Sequence, residues 1–478
     1  MAAIRPDIEL QPTVDVSVVF VLQTGCVHIG NMINRKNKLP SPITEKVISK
    51  FSEYSLPGGP IITEYANIVV DYAKNAHIWD SDGNRYIDFF TGVGVCNIGH
   101  SHPKFQERMM GQLSRCTVGS FYTDVRAQLY ESIADFLPSN LQHIHMFSTG
   151  SEAVEAAIRF ARAASGREEV ISFWGGFHGK TQGAISLHAG PRKKDVGPLP
   201  TGTHHIPYAY CFRCPLKLKF PDCQYACVEL AKNTIKESTT ENIAAIIIEP
   251  VQGTNGNIVP PPGYLKKIRK LADDFGALLI FDEVITGFGR TGQFFAYEHE
   301  NVTPDILVLG KAMGSGIPVS AIISDSNLVK DTSFSSPSAA SSTFSGNPLA
   351  SAAALATVEI IRDEHLVERS CELGKLAESI IESWPNDISV VGNVGILGLM
   401  IGLELVCPGT NHPLPTELTR HFFHSLLRRG IIAMAYGSRI RLYPPLSIND
   451  FDLREGLLVI QSELQMLSKI IKNYPFEE

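Results

Sequence analysis

No stretch of this 478-residue chain holds the roughly 18 consecutive apolar residues that a membrane helix needs, so a helical membrane span is excluded. A basic leader is missing too. The apolar run Val16–Leu22 follows an acidic, proline-containing start and does not read as a secretory signal. Positive charge is in deficit: 42 Lys and Arg against 49 Asp and Glu leave a formal net charge of −7. That excludes a general nucleic-acid binder, whose affinity rests on excess cations. Basic clusters such as Arg35–Lys38 and Arg192–Lys194 read as solvated loops. Hydrophobic residues make up 44% and charged ones 19%, which excludes a disordered chain and leaves a soluble globular one. Its length allows two domains, or one large domain with appendages. Nine cysteines, an odd number without a secretory leader, read as reduced thiols, and the expected location is the cytoplasm. Cys211, Cys214, Cys223 and Cys227 have a C-x2-C…C-x3-C spacing that could hold zinc. The other reading is free thiols in an insertion loop over 209–228, far in sequence from every other motif; no metal is assigned.

What is present centres on Ala277 to Ser324. Ala277–Phe281 is short and apolar without alternation, which suits a strand buried on both faces, and Asp282 ends it. Ile306–Leu309 is a second such run, with Lys311 just beyond. The carboxyl ends of parallel strands open into the ligand crevice, so the acid and the lysine should reach one crevice from different strands. Val170–Trp174 reads as another buried strand, leading into Gly175-Gly-Phe-His-Gly-Lys-Thr181. Phe177, an aromatic after two glycines, can lie flat on a bound ring; a core phenylalanine is the plainer reading. A further buried strand begins at Ala244 and ends in Glu249, and an amphipathic helix from Gly263 to Phe275 should join it to the Asp282 strand as a β-α-β unit. Phe147–Ala153 leads into a helix closed by Gly166. Gly150 and Ser151 then sit at a helix N-terminus, which suits a phosphate, although an ordinary Ser/Thr cap gives the same pattern. Asp82-Gly83 signals a hairpin. His100 and His102, without a third ligand nearby, read as a turn.

Phe281-Asp-Glu-Val284, Thr286-Gly-Phe-Gly-Arg-Thr-Gly292 and Gly310-Lys311, in this order, resemble the class III pyridoxal-phosphate (PLP) aminotransferases, of the 4-aminobutyrate aminotransferase kind. The resemblance runs from roughly Pro40 to the C-terminus. It implies an α/β, fold-type I PLP enzyme. A large domain over 91–349 would hold a mostly parallel seven-stranded sheet between helices, and residues 38–90 and 350–478 would form a smaller α+β domain. Residues 1–37 match nothing in the family pattern and read as an extension of unknown role, or as preceding a start at Met32.

The resemblance also implies roles. Lys311 would be the Schiff-base lysine and Asp282 would hold the pyridine nitrogen protonated; these two are the catalytic residues. Gly150 and Ser151 would bind the phosphate, Phe177 would stack on the pyridine ring with His178 beside it, and Glu249 and Val284 would line the cofactor. Thr343 would reach the phosphate of the other subunit in a homodimer with shared active sites. Arg441, Lys180, Val93 and Phe121 would contact substrate, Arg441 by gripping the carboxylate of a 2-oxo acid. Three positions depart from the pattern. Lys180 stands where many members have arginine, Thr254 where glutamate pairs with the substrate arginine, and Ile285 where glutamine touches the phenolic oxygen. A lysine cannot fork a carboxylate, so pyruvate-like acceptors are expected to serve at least as well as 2-oxoglutarate. The expected activity is amino-group transfer from an amine or ω-amino acid to a 2-oxo acid. A PLP-dependent racemase on the same scaffold is the alternative, and a catalytically inactive binding protein a third, opposed by the intact Asp282 and Lys311.

Overall fold

The computed structural model describes residues 41–435 and 437–472, together with a short antiparallel pairing of Val21–Leu22 with Gly25–Cys26. Otherwise the N-terminal extension over 1–37 lies outside the described residues. Seven strands make the central sheet: β1 (His143–Phe147), β2 (Glu169–Phe173), β3 (Thr203–Ile206), β4 (Ile243–Ile248), β5 (Leu278–Asp282), β6 (Ile306–Leu309) and β7 (Ser320–Ser324). Their order across the sheet is β1-β7-β6-β5-β4-β2-β3, and β7 alone runs against its neighbours. Composition explains the core position. The residues of β4 are Ile-Ala-Ala-Ile-Ile-Ile and all are buried, a β-branched, two-sided apolar strand that must be covered on both faces. Leu279, Ile280 and Phe281 on β5 are fully buried, each side chain contributing about 1.5–3 kcal/mol relative to exposure.

Helix Gly150–Ser165 covers one face with Ala153, Ala156, Ala157, Phe160 and Ala161, small residues that let its backbone approach the sheet. Thr149 and Glu152 cap its start reciprocally, and Gly166, at φ 66°, ends it in the left-handed conformation that glycine adopts without strain. Helix Tyr264–Asp274 joins β4 to the parallel β5, burying Tyr264, Leu265, Ile268, Leu271 and Ala272. In the pairing of β5 with β6, Asp282 stands opposite Val308. Lys311, three residues further on, therefore emerges at the same end of the sheet as Asp282.

Smaller sheets flank this core. Val70–Lys74, His77–Asp80 and Arg85–Asp88 pair antiparallel, with the turn at Asp82-Gly83. Ile431–Ile432 adds to Arg85–Asp88 in parallel, so segments from both ends of the described chain share a sheet. A second antiparallel sheet holds Val391–Leu397, Met400–Leu405 and Arg439–Leu442. His100 Nε2 lies 2.7 Å from Asp88 and His102 Nε2 lies 3.3 Å from Glu364, so each histidine braces its turn against a different carboxylate.

Arg290 is fully buried in the loop after β5. Its guanidinium donates to the carbonyls of Leu399 at 3.1 Å and Pro444 at 2.5 Å and to Asn97 Oδ1 at 2.6 Å. Burial lowers its pKa to about 10. A family motif whose role was open in the sequence is thus a clip between segments far apart in the chain.

Candidate active site

The floor of the crevice is built around Asp282. Its Oδ2 lies 2.7 Å from His178 Nδ1 and its Oδ1 accepts the N–H of Val284 at 3.1 Å. Burial alone would lower the pKa of His178, but the bond and charge of Asp282, with the charge of Glu249, raise it. The His178 backbone N–H donates to His188 Nε2 at 3.1 Å. Burial, joined by the charges of His178, Arg192, Lys193 and His205, pushes His188 down to about 3, so it stays an acceptor. Glu249 follows directly on β4 and is a clasp: one oxygen accepts the Phe177 N–H and the other the Gly253 N–H, both at 2.9 Å. It fixes the Phe177 turn through the backbone. Burial raises its pKa, against the opposing charge of His178.

At the adjoining helix start, Glu152 takes the N–H groups of Ser148 and Thr149, at 2.9 and 3.0 Å. The N–H groups of Gly150 and Ser151 find no acceptor among the described residues, the usual condition of a first turn. Lys180 N–H donates to Ser151 Oγ at 3.2 Å. Val284 is wedged between two glycines: a Cβ on Gly150 would stand 3.2 Å from its Cγ1, and one on Gly310 3.3 Å. Glycine at both places lets the helix start, the Asp282 turn and the Lys311 turn meet. Lys311 has φ 42°, in the left-handed region that a side chain rarely adopts. Burial lowers its pKa; Asp282 and Glu249 oppose that and Arg441 adds to it.

These groups fit PLP on their own chemistry. A carboxylate can hold a protonated ring nitrogen, a half-buried Phe177 ring offers a face, open N–H groups at a helix start suit a phosphate, and a lysine of lowered pKa suits the aldehyde carbon. His178 Nε2 is buried with no partner among the described residues, as is Nδ1 of His188 beneath it.

The substrate side is arranged differently. Arg441, 8% exposed on strand Arg439–Leu442, makes no ion pair among the described residues. It lies against Tyr443, whose pKa burial raises to about 12 in spite of Arg441. Arg439 is engaged, by contrast, with Glu404 and Asn255. Ile285 joins Val251, Met400, Met434 and Tyr443 in an apolar wall, with Val93 packed against it. Lys180 is exposed. Phe121 and Thr343 are also exposed, on adjoining loops tied by Arg126, which donates to the carbonyls of Phe121 at 3.1 Å and Gly346 at 3.5 Å.

Arg192 and Lys194 are exposed and Lys193 is intermediate, as a solvated turn requires, but two of the three cations are tethered: Arg192 Cζ lies 5.8 Å from the centroid of the Phe177 ring and its Nη1 3.4 Å from the Gly175 carbonyl, while Lys193 Nζ is 3.1 Å from His205. The 3-10 turn Gly190–Lys193 folds back over the Gly175–Phe177 turn, and an aromatic face with a carbonyl gives the cation partners that a charge run alone does not reveal. The sequence also gave no sign of the His178–Asp282 pair or of His188 beneath it. Cys211, Cys214, Cys223 and Cys227 line one small cavity with Tyr208, Tyr225 and Pro261. Burial, with the charges of the other three thiols, pushes Cys227 up to about 11. No group of three or more His, Cys, Asp or Glu is arranged to hold a metal among the described residues.

The mixed seven-stranded sheet, with an acid and a lysine at adjacent strand ends, is the α/β fold-type I architecture of solved PLP transaminases. Residues 62–464 match the family Aminotransferase class-III, and the chain belongs to it. It is 34% identical over 423 residues to a leucine/methionine racemase from Thermococcus litoralis, covering 86% of this chain and 94% of that protein. It is 36% identical over 395 residues to an acetylornithine aminotransferase from Methanopyrus kandleri, covering 82% and 93%. Among solved structures, the ornithine aminotransferase from Toxoplasma gondii, whose active site is described with PLP at partial occupancy, superposes with TM-score 0.78 at 27% identity, covering 91% of this chain and 97% of that one. The protein is a PLP-dependent enzyme.

Proposed function

We propose that this protein transfers the amino group of an ω-amino acid or amine to a 2-oxo acid, with Lys311 as the reacting lysine. The observation that carries it is the meeting of Asp282, paired with His178, and Lys311 of lowered pKa at the ends of adjacent parallel strands. Bound PLP supplies the electron sink that weakens bonds at the substrate's amino-bearing carbon. Asp282 keeps a proton on the pyridine nitrogen, supported by His178. Phe177, fixed by the Glu249 clasp, covers one ring face and excludes water. Gly150 and Ser151 hold the phosphate. Lys311, neutral in part because it is buried, takes and returns the migrating proton. Arg441 receives the carboxylate of the acid substrate.

We place the enzyme in the cytoplasm as a homodimer, Thr343 and Phe121 completing the neighbour's site. Three large side chains on the adjoining loops, Phe121, Tyr122 and Phe344, are 70% exposed or more, a concentration that favours a partner surface. Racemisation is the second reading, favoured by the likeness to the Thermococcus enzyme. A panel of amine donors with pyruvate or 2-oxoglutarate, read for both oxo-acid product and inverted amino acid, separates the two. Oxo-acid product supports transamination; inverted amino acid without it supports the racemase.

A further inference from the structure

Two guanidinium groups whose charges act on each other have no carboxylate of their own. Arg441 is one; Arg192, arriving from the 3-10 turn after the Gly175–Phe177 segment, is the other. Neither makes an ion pair among the described residues. The nearest acids are committed. Both oxygens of Glu249 accept backbone N–H groups, and Glu404 holds Arg439 and Arg213. The two guanidiniums also feel each other: burial lowers the pKa of Arg192, Glu249 opposes this, and the charges of Arg441 and Arg439 add to it. Like charges gathered in a pocket without counter-ions favour an arriving anion, and two guanidiniums favour two carboxylates. Arg192 and Lys180 are both exposed, but Arg192 lies over the Phe177 ring and beside the Gly175 carbonyl, whereas Lys180 is bound to Ser151 only through its backbone.

We infer that Arg192 is a specificity-determining residue that binds the distal carboxylate of a dicarboxylic 2-oxo acid while Arg441 binds the other. This rests on the transaminase reading and replaces the expectation, drawn from Lys180, that pyruvate-like acceptors serve as well as 2-oxoglutarate.

The test compares holoenzymes of wild type, Arg192→Ala, Arg192→Lys and Lys180→Ala in two measurements. The first is the binding of the unreactive acids glutarate and propionate, followed by cofactor absorbance; the second is KM for 2-oxoglutarate and pyruvate. Arg192→Ala should weaken glutarate and raise KM for 2-oxoglutarate by about tenfold or more, leaving propionate and pyruvate within about threefold. Arg192→Lys should recover part of the loss, and Lys180→Ala should resemble wild type. Equal effects on mono- and dicarboxylates, no effect on either, or the glutarate loss appearing in Lys180→Ala would each overturn the assignment. If wild type transfers no amino group to any 2-oxo acid, the transaminase reading fails by itself; the glutarate–propionate contrast still decides what Arg192 binds.

Discussion

The cofactor floor and the substrate mouth share one pocket but treat charge in opposite ways. On the floor both carboxylates have resident partners: Asp282 has His178 and the Val284 N–H, and Glu249 has two backbone donors. At the mouth Arg192 and Arg441 have only neutral partners among the described residues, the Gly175 carbonyl and Phe177 ring for one and Tyr443 for the other, while Arg439, only two positions from Arg441 on the same strand, is locked by Glu404. A hydrogen bond to a charged group is worth about 1.5–3 kcal/mol. A permanent partner for Arg441 would have to be displaced each time a carboxylate arrived. The floor, which holds a group that stays, is neutralised in advance; the mouth, which meets groups that come and go, is not.

The contrast is sharpest where removal is most severe. Lys311→Ala should reduce turnover by roughly 10⁴-fold or more, since the proton carrier is lost. Borohydride reduction of wild type followed by peptide mapping should tag Lys311, and a tag on another lysine removes its assignment. Asp282→Asn deletes the floor's central charge, and kcat should fall by about 10²–10³-fold, each tenfold being ~1.4 kcal/mol, with PLP still bound by absorbance. Activity within about tenfold of wild type would make Asp282 a strand-end cap only. At the mouth, Arg441→Ala should act mainly on KM for the acid substrate, by about 10–100-fold, with melting temperature little changed because no ion pair is broken. A large loss of stability there would erase the distinction between the two ends.

The smallest effect concerns pH. His188 is held near 3 in the folded protein against about 6.5 when unfolded. Between those values the unfolded chain binds more protons, so this contribution is complete above pH 6.5 and is lost as the pH falls towards 3. His205, lowered to about 4 by burial and the charge of Lys193, acts in the same direction. His100, raised to about 10 by Asp88 and Cys96 against the effect of burial, acts oppositely and is lost as pH climbs from 6.5. The apparent melting temperature should therefore drop between pH 7 and pH 5, and His188→Gln, which keeps an acceptor but does not titrate, should make that drop smaller. An unchanged pH slope in the variant would remove His188 as a source.

Much of this was legible in the sequence because it is local. Apolar runs without alternation gave β4, β5 and β6, Gly166 gave a helix end, and Asp82-Gly83 gave a hairpin. Asp282 and Lys311 could be placed in one crevice from strand ends and the parallel rule. What stayed hidden depends on residues brought together across long separations. His178 meets Asp282 over 104 positions, and Glu249 meets Phe177 over 72. Arg192 looked like part of an ordinary basic run because its partners are an aromatic face and a carbonyl, which leave no complementary charge to find. Phe121 and Thr343 are exposed here, so their value depends on the neighbouring subunit we propose.

The buried Arg290 has a consequence for the order in which the chain is made. Its acceptors lie at Asn97, Leu399 and Pro444, so two of the three are translated more than a hundred residues after it. Until Pro444 has been made, the cation lacks at least one of its buried acceptors, and a buried charge short of partners is strongly unfavourable. That acceptor, Pro444, follows by two residues the strand Arg439–Leu442 that carries the substrate arginine, so the burial of Arg290 and the placing of Arg441 draw on one stretch of late sequence.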